Sequence, residues 1–178
     1  MIRVLQEAAK KSGWTATPSP SGRGLGVACG TDAGTVAALI AEVTVDKSTG
    51  AVRVTRVVCA QEMGQVVNPV GAMQQIEGCI TMGLGYALTE QVRFKGGDVL
   101  DRNFDTYELP RFSSVPKIDA VILDARDTPA QGGGEPAIVP MGAAIANAIF
   151  DATGARLYRM PMTPARVLEA LRLARGSS

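Results

Sequence analysis

Apolar residues fall at helical spacing in some stretches of this chain and at every second position in others. Residues 3–12 place Val4, Leu5, Ala8 and Ala9 on one helical face, and Gly13 stands where a helix would stop. Trp14, the only tryptophan, is expected to pack just beyond it, before a loop over 15–24 rich in Thr, Pro, Ser and Gly. Residues 36–46 and 51–59 have period-two character and are joined by Lys47-Ser48-Thr49-Gly50, which predicts a hairpin. Leu39, Ala41, Val43 and Val45 share one face of the first strand; Val52, Val54, Arg56 and Val58 share one face of the second. Asn68-Pro69 supplies an N-cap and a first-turn proline, and Met73, Ile76, Ile80, Leu84 and Ala87 mark a helix running to about residue 88. Residues 91–94 and 99–100 flank Gly96-Gly97 as a second hairpin, and 118–125 is a nearly continuous apolar strand. A helix over about 137–153 is apolar nearly all round and ends at Gly154, and Thr163-Pro164 caps a last helix that turns Val167, Leu168 and Leu171 to one side.

Sequential hairpins with separate helices predict an α+β fold: two layers, a mostly antiparallel or mixed sheet, and helices near 69–88, 137–153 and 164–174 packed on one side. No internal repeat or boundary divides residues 1–178, which read as a single domain. A hydrophobic content of 46% with 20% charged residues is that of a globular chain, and a net charge of +1 gives no electrostatic case for nucleic acid or an anionic membrane. Residues 137–150 contain Pro140, Gly142 and Asn147 and are too short to span a bilayer, so they read as a buried helix without membrane insertion. The N-terminus lacks the charged and apolar regions of an export signal. If the apolar helix is normally covered by another part of a larger subunit, the chain alone is expected to self-associate.

Histidine is absent, which excludes Ser-His-Asp and Cys-His catalysis and histidine metal sites, and leaves acid–base chemistry to carboxylates, lysine or tyrosine. Cys29, Cys59 and Cys79 are too widely spaced for a CxxC metal site and odd in number, so they read as small buried hydrophobes. Gly22-Arg23-Gly24-Leu25-Gly26 has a faint likeness to a dinucleotide loop, but no helix pattern follows it and the third glycine is misplaced. The informative stretch is Gln131-Gly132-Gly133-Gly134-Glu135-Pro136. Three consecutive glycines cost backbone entropy, so they point to positive φ or to the close approach of a bulky ligand. Pro136 is expected to hold Glu135 in the β or polyproline region and to open the apolar helix, putting the carboxylate near a helix N-terminus. The plainer alternative is an N-terminal charge after a flexible linker. Gln74, Gln75 and Glu77 lie in the first turns of the preceding helix, either as a solvated face or reaching past its end.

Gly64-Gln65-Val66-Val67-Asn68-Pro69 followed by Gln75-Ile76-Glu77-Gly78, then Tyr107-Glu108-Leu109-Pro110, then Gly134-Glu135-Pro136 with its alanine-rich helix, resemble the large subunits of the xanthine dehydrogenase and aldehyde oxidase family. The wording is most similar to the isoquinoline 1-oxidoreductase type, from the opening helix to Thr163-Pro164-Ala165-Arg166-Val167-Leu168. The resemblance implies a molybdenum–pterin cofactor, molybdopterin alone or as a dinucleotide, whose dithiolene holds the metal without protein ligands. It implies that Glu135 is the general base that activates the water-derived hydroxyl attacking an N-heterocycle or aldehyde, that Gln75 bonds an oxygen on molybdenum, and that Gly133 and Gly134 line the cofactor. Family large subunits are several times longer, and this chain has no cysteines for iron–sulfur clusters. The resemblance therefore implies a C-terminal portion of a catalytic subunit, inactive alone, whose partners are the rest of that subunit, an iron–sulfur small subunit and a small-molecule substrate, in the cytoplasm or periplasm. The alternative is a non-catalytic docking module of the same descent. Glu62-Met63 stands where many relatives have an aspartate before a shorter residue.

Overall fold

A computed structural model describes residues 1–14 and 22–176. Along the chain come α1 (Ile2–Ser12), β1 (Arg23–Asp32), β2 (Thr35–Val45), β3 (Val52–Glu62), α2 (Pro69–Leu88), the short pair β4 (Phe94–Lys95) and β5 (Asp98–Val99), β6 (Lys117–Ile122), α3 (Met141–Thr153) and α4 (Pro164–Gly176). Two 3-10 turns, Phe112–Ser114 and Pro136–Ile138, precede β6 and α3. The main sheet has the order β1-β2-β3-β6; its first three strands are antiparallel, and β6 pairs with β3 in parallel. The fold is α+β with a mixed sheet, as the pattern of hairpins and separate helices predicts.

Helices α2, α3 and α4 bury Ile76, Ile80, Ile145, Ile149, Val167 and Leu171 against one face of the sheet. The opposite face is not bare: α1 seats Val4 and Ala8 on Ala38, Ile40, Val58 and Ala60, and Trp14 packs beside them. α1 ends at Gly13, whose φ of 71° gives the left-handed stop. The side chain of Arg56 fixes this end of α1 to the sheet. It bonds Glu42 at 3.1 Å and Asp119 at 2.7 Å and reaches the carbonyls of Lys11 and Ser12.

Strand β1 departs from the loop expected through residue 24; of that loop, residues 15–21 lie outside the described residues. The glycines that read as a loop signal serve a packing purpose. A Cβ on Gly24 would lie 2.5 Å from Ala152 N, and one on Gly26 would lie 2.9 Å from Ala148 Cα, so only glycine lets α3 lie this close to the strand. Because β1 pairs only with β2, α3 also meets two of its free-edge backbone groups: Leu25 N–H donates to Asp151 Oδ2, and Asn147 Nδ2 donates to Val27 O, each at 2.9 Å.

A second departure is in β3. Val43 pairs with Val54 but Glu42 pairs with Arg56, so Thr55 is an extra residue and the alternation reverses there. Val54, Val57 and Cys59, not Val54, Arg56 and Val58, face the helix side. The apolar helix begins at Met141 rather than 137, after the 3-10 turn, and its inner side is covered by β1, β2 and α2 of this chain. Pro136–Thr153 is long and apolar enough for a membrane span by composition (mean hydropathy 1.2), but it packs here as a core helix with 56% of its residues buried. Its inner side is therefore not an open apolar face through which copies of the chain would self-associate. Three exposed phenylalanines lie in 92–112, where Phe94, Phe104 and Phe112 are 75%, 70% and 98% exposed.

Candidate functional site

The connection from β6 to α3 crosses one end of the sheet and is tied down along its length. Leu123 N–H donates to Gln61 O, Gln131 N–H to Met63 O, both at 2.9 Å, and Gly132 N–H to Ala33 O at 3.1 Å. Thr35, wholly buried at the start of β2, donates its hydroxyl to Gly132 O at 2.6 Å. The glycine run is thus not a flexible linker. Nor does it use positive φ, since none of Gly132, Gly133 and Gly134 has it. A Cβ on Gly132 would meet Ala33 Cβ at 2.5 Å, and one on Gly133 would meet Met63 Sδ at 2.8 Å, so these two glycines let the chain itself pack closely. Gly134 differs. Its Cβ would point into open space, with Gln75 Nε2 the nearest atom at 4.0 Å.

Glu135 is exposed, with backbone angles of φ −118° and ψ −18°. This is helical rather than the extended conformation expected before proline, because the 3-10 turn it caps closes through Ile138 N–H to Glu135 O at 2.9 Å and imposes its own geometry. α3 starts six residues later, so the field of its N-terminus, which fades within a turn, is not what acts on this carboxylate.

Helix α2 supplies the facing wall. Asn68 caps it as expected, its Oδ1 accepting Gly71 N–H at 2.9 Å. Gln75 is exposed in the second turn, and Cys79, one turn on along the same face, is buried. The Cys79 thiol donates to Gly134 O at 3.0 Å. Burial pushes this thiol's pKa up, the backbone N–H groups of Ile138 and Ala137 pull it down, and the Glu135 carboxylate adds to the rise. Gln75, Gly134 and Glu135 therefore share one open edge; Gly133 belongs to it through its backbone only, and Gln74 and Glu77 are exposed with no part in it that the geometry shows.

Sequence reasoning misses the part of this site that comes from Cys79. Cys79 reads as one of three inert thiols, although its spacing of four from Gln75 is a usable signal. Cys59 is buried as expected, whereas Cys29 is exposed: it lies opposite Ala38 on the face that α1 covers, and α1 packs mainly over β2 and β3. Gln61 is wholly buried, and neither polar atom of its side chain has a hydrogen-bonding partner among the described residues. After the bulge at Thr55 it shares the parity of Val57 and Cys59, which face the helix side.

A model of the molybdopterin cofactor-binding domain matches residues 30–116. A nicotinate dehydrogenase subunit of Pseudomonas putida is 44% identical over 135 residues, which are 76% of this chain and 11% of that protein. The beta subunit of isoquinoline 1-oxidoreductase from Brevundimonas diminuta is 34% identical over 91% of this chain and 21% of its own length. The aldehyde oxidoreductase of Desulfovibrio gigas superposes with a TM-score of 0.69 at 33% identity, over 78% of this chain and 15% of its own. The chain belongs to the molybdenum-binding subunits of the xanthine dehydrogenase and aldehyde oxidoreductase family. It spans about a tenth to a fifth of the length of these relatives. The residues present fit a molybdenum–pterin group in kind. At this edge the bare backbone of Gly134 faces open space beside the amide of Gln75, which leaves room for a bulky group to approach.

Proposed function

We propose that this chain forms the proton-accepting wall of a molybdenum hydroxylase, with Glu135 as general base and with Gln75, Gly134 and the backbone of Gly133 facing the molybdenum–pterin cofactor. The observation that carries this is the meeting of an exposed carboxylate, an exposed amide and a side-chain-free backbone on one edge, with Gln75 Nε2 4.0 Å from where a Gly134 Cβ would stand. When bound, the cofactor supplies the oxidising centre at which water-derived oxygen is added to substrate. Gln75 can donate through Nε2 and accept through Oε1, which suits it to orient a polar group at that centre. Glu135 takes a proton at a carboxylate oxygen, and the 3-10 turn behind it holds its backbone while it does so.

The substrate class is an N-heterocycle or an aldehyde, a reading supported by relatives named for nicotinate, isoquinoline and aldehydes. The cofactor, as molybdopterin alone or as its dinucleotide, the remainder of the catalytic subunit and an iron–sulfur small subunit complete the proposal. The 178-residue chain alone is expected to purify with substoichiometric molybdenum, because so few of its groups face the cofactor and a pocket for a ligand of that size buries most of its surface. A docking module of the same family is the second reading, and the exposure of Phe94, Phe104 and Phe112 favours it.

Glu135→Gln in the complete enzyme separates the two. The variant keeps shape and most hydrogen bonding, so molybdenum content should persist while single-turnover reduction by substrate falls by about 10²–10⁴. Reduction at more than about a tenth of the wild-type rate is too small a loss for a missing base and would favour the docking module.

A further inference from the structure

We propose that Cys79 is a positioning residue for Glu135: its thiol, seated under the peptide that leads into the carboxylate and against the turn that leaves it, fixes the direction in which the carboxylate points. The inference deepens the reading of Glu135 as general base and rests on it. On the incoming side, the thiol donates to Gly134 O at 3.0 Å, and that carbonyl belongs to the peptide unit whose nitrogen is Glu135 N. On the outgoing side, the N–H groups of Ala137 and Ile138 lie near enough to the sulfur to act on its charge state. The thiol therefore bonds the peptide that enters Glu135 and lies within electrostatic reach of the turn that leaves it.

The thiol is itself held. Cys79 is 8% exposed, lies in the interior of a 20-residue helix capped at Asn68, and is one turn from Gln75. The same face of α2 thus presents Gln75 to the open edge and Cys79 to the loop beneath it. The loop needs such a clamp because Gly134 has no side chain with which to anchor itself, and what lies beyond its Cβ direction is open space and Gln75. Burial and the Glu135 charge both favour the neutral thiol, so the donor to Gly134 O is present throughout the neutral range. A misplacement of about 1 Å in a reacting group can cost up to about 10²-fold in rate, so a hydrogen bond that sets one peptide's orientation is large enough to read in kinetics.

The test uses the complete enzyme with Cys79→Ala and Cys79→Ser, alone and combined with Glu135→Gln. Cys79→Ala removes the donor; Cys79→Ser keeps a donor and an acceptor at the same position. Three quantities are read: molybdenum content, amide hydrogen exchange over residues 134–138, and single-turnover reduction with its half-saturation concentration. Cys79→Ala should speed exchange in 134–138 and lower the reduction rate by about tenfold with half-saturation and molybdenum content unchanged, as expected for a carboxylate held less well. Cys79→Ser should recover most of both losses. In the Glu135→Gln background, Cys79→Ala should lower the rate no further, because the residue through which it acts is already disabled. Wild-type exchange and rate in Cys79→Ala overturn the proposal, and so does an equal rate loss with and without Glu135. Loss of molybdenum together with rate, unrelieved by serine, makes Cys79 merely structural and also overturns it. If Glu135→Gln itself keeps the wild-type rate, the base reading fails, and the exchange data then decide separately whether Cys79 orders the loop.

Discussion

Gly24→Ala tests the account of how β1 and α3 are held together. The added Cβ would stand 2.5 Å from Ala152 N and 2.9 Å from Ala152 Cβ, and nearer still to Ala148 O. Ordinary van der Waals contact begins at 3.4 Å, so α3 must retreat by at least about 0.9 Å, taking 2.5 from 3.4. The opposing atoms are backbone, which cannot swing aside as a methionine end could. Overpacking of this kind costs about 1–3 kcal/mol. In a domain of this size each kcal/mol lowers the melting temperature by about 2–4 °C, so about 3 kcal/mol corresponds to roughly 6–12 °C. The retreat would also stretch the bonds from Leu25 N–H to Asp151 and from Asn147 to Val27 O. Thermal and urea unfolding of the 178-residue chain would measure the loss, with Gly78→Ala as its counterpart. Nothing lies within 4 Å of a Cβ on Gly78, in the middle of α2, so that substitution should stabilise by roughly 0.5–1 kcal/mol. If Gly24→Ala melts within about 1 °C of wild type, less than the lower bound requires, close approach is not why position 24 is glycine.

Two further outcomes follow from groups already placed. Asn68→Ala removes the acceptor for Gly71 N–H and should cost about 1 kcal/mol, read as a lower urea midpoint with an unchanged slope; no change would mean that water replaces the cap. Burial, with a smaller contribution from Cys79, pushes the Cys59 thiol from 9.0 up to about 12. A group raised in the folded state contributes fully below its unfolded pKa and loses that contribution as pH climbs, so the loss should begin near pH 9.0 and run towards about pH 12. Between about pH 8 and 10.5 the wild type should lose roughly 2 kcal/mol more than Cys59→Val in anaerobic urea titrations, and parallel losses would refute it.

The strands β2 and β3 were legible because they are rich in β-branched and apolar residues around a short glycine-ended connection, and α2 because Asn68-Pro69 and the spacing of Ile76, Ile80 and Leu84 agree on where it starts and which face it buries. β1 was not legible for a physical reason. Gly24 and Gly26 make room for a helix more than a hundred residues away, and a glycine contributes no hydrophobic signal of its own. The reversal at Thr55 was equally hidden, since a bulge is a property of a strand pair and not of one sequence. That single extra residue decides that Val57 and Cys59, and not Arg56 and Val58, face the helices. At Glu135 the local rule for residues before proline lost to the 3-10 turn. The glycine run did signal close approach, but the approach at Gly132 and Gly133 is made by Ala33 and Met63.

The convergence at Glu135 follows from the one parallel pair in the sheet. β3 and β6 run the same way, with Gln61 beside Ile122, so the segments that leave them emerge at the same end. The exit from β3 leads through Met63 into the capped start of α2, which carries Gln75 and Cys79; the exit from β6 leads into the glycine run and Glu135. β2 is antiparallel to β3, and Val36 pairs with Glu62, so the β1–β2 turn with Ala33 and the start of β2 with Thr35 belong to that end too. Residues 35, 63, 75, 79 and 132–135 thus meet although they come from separate segments of the chain. Had β6 entered antiparallel over the same residues of β3, its glycine run would have left beside Arg56, the length of a 6-residue strand away from Gln61. The open edge beside Gly134 thus lies where the segments leaving β3 and β6 come together.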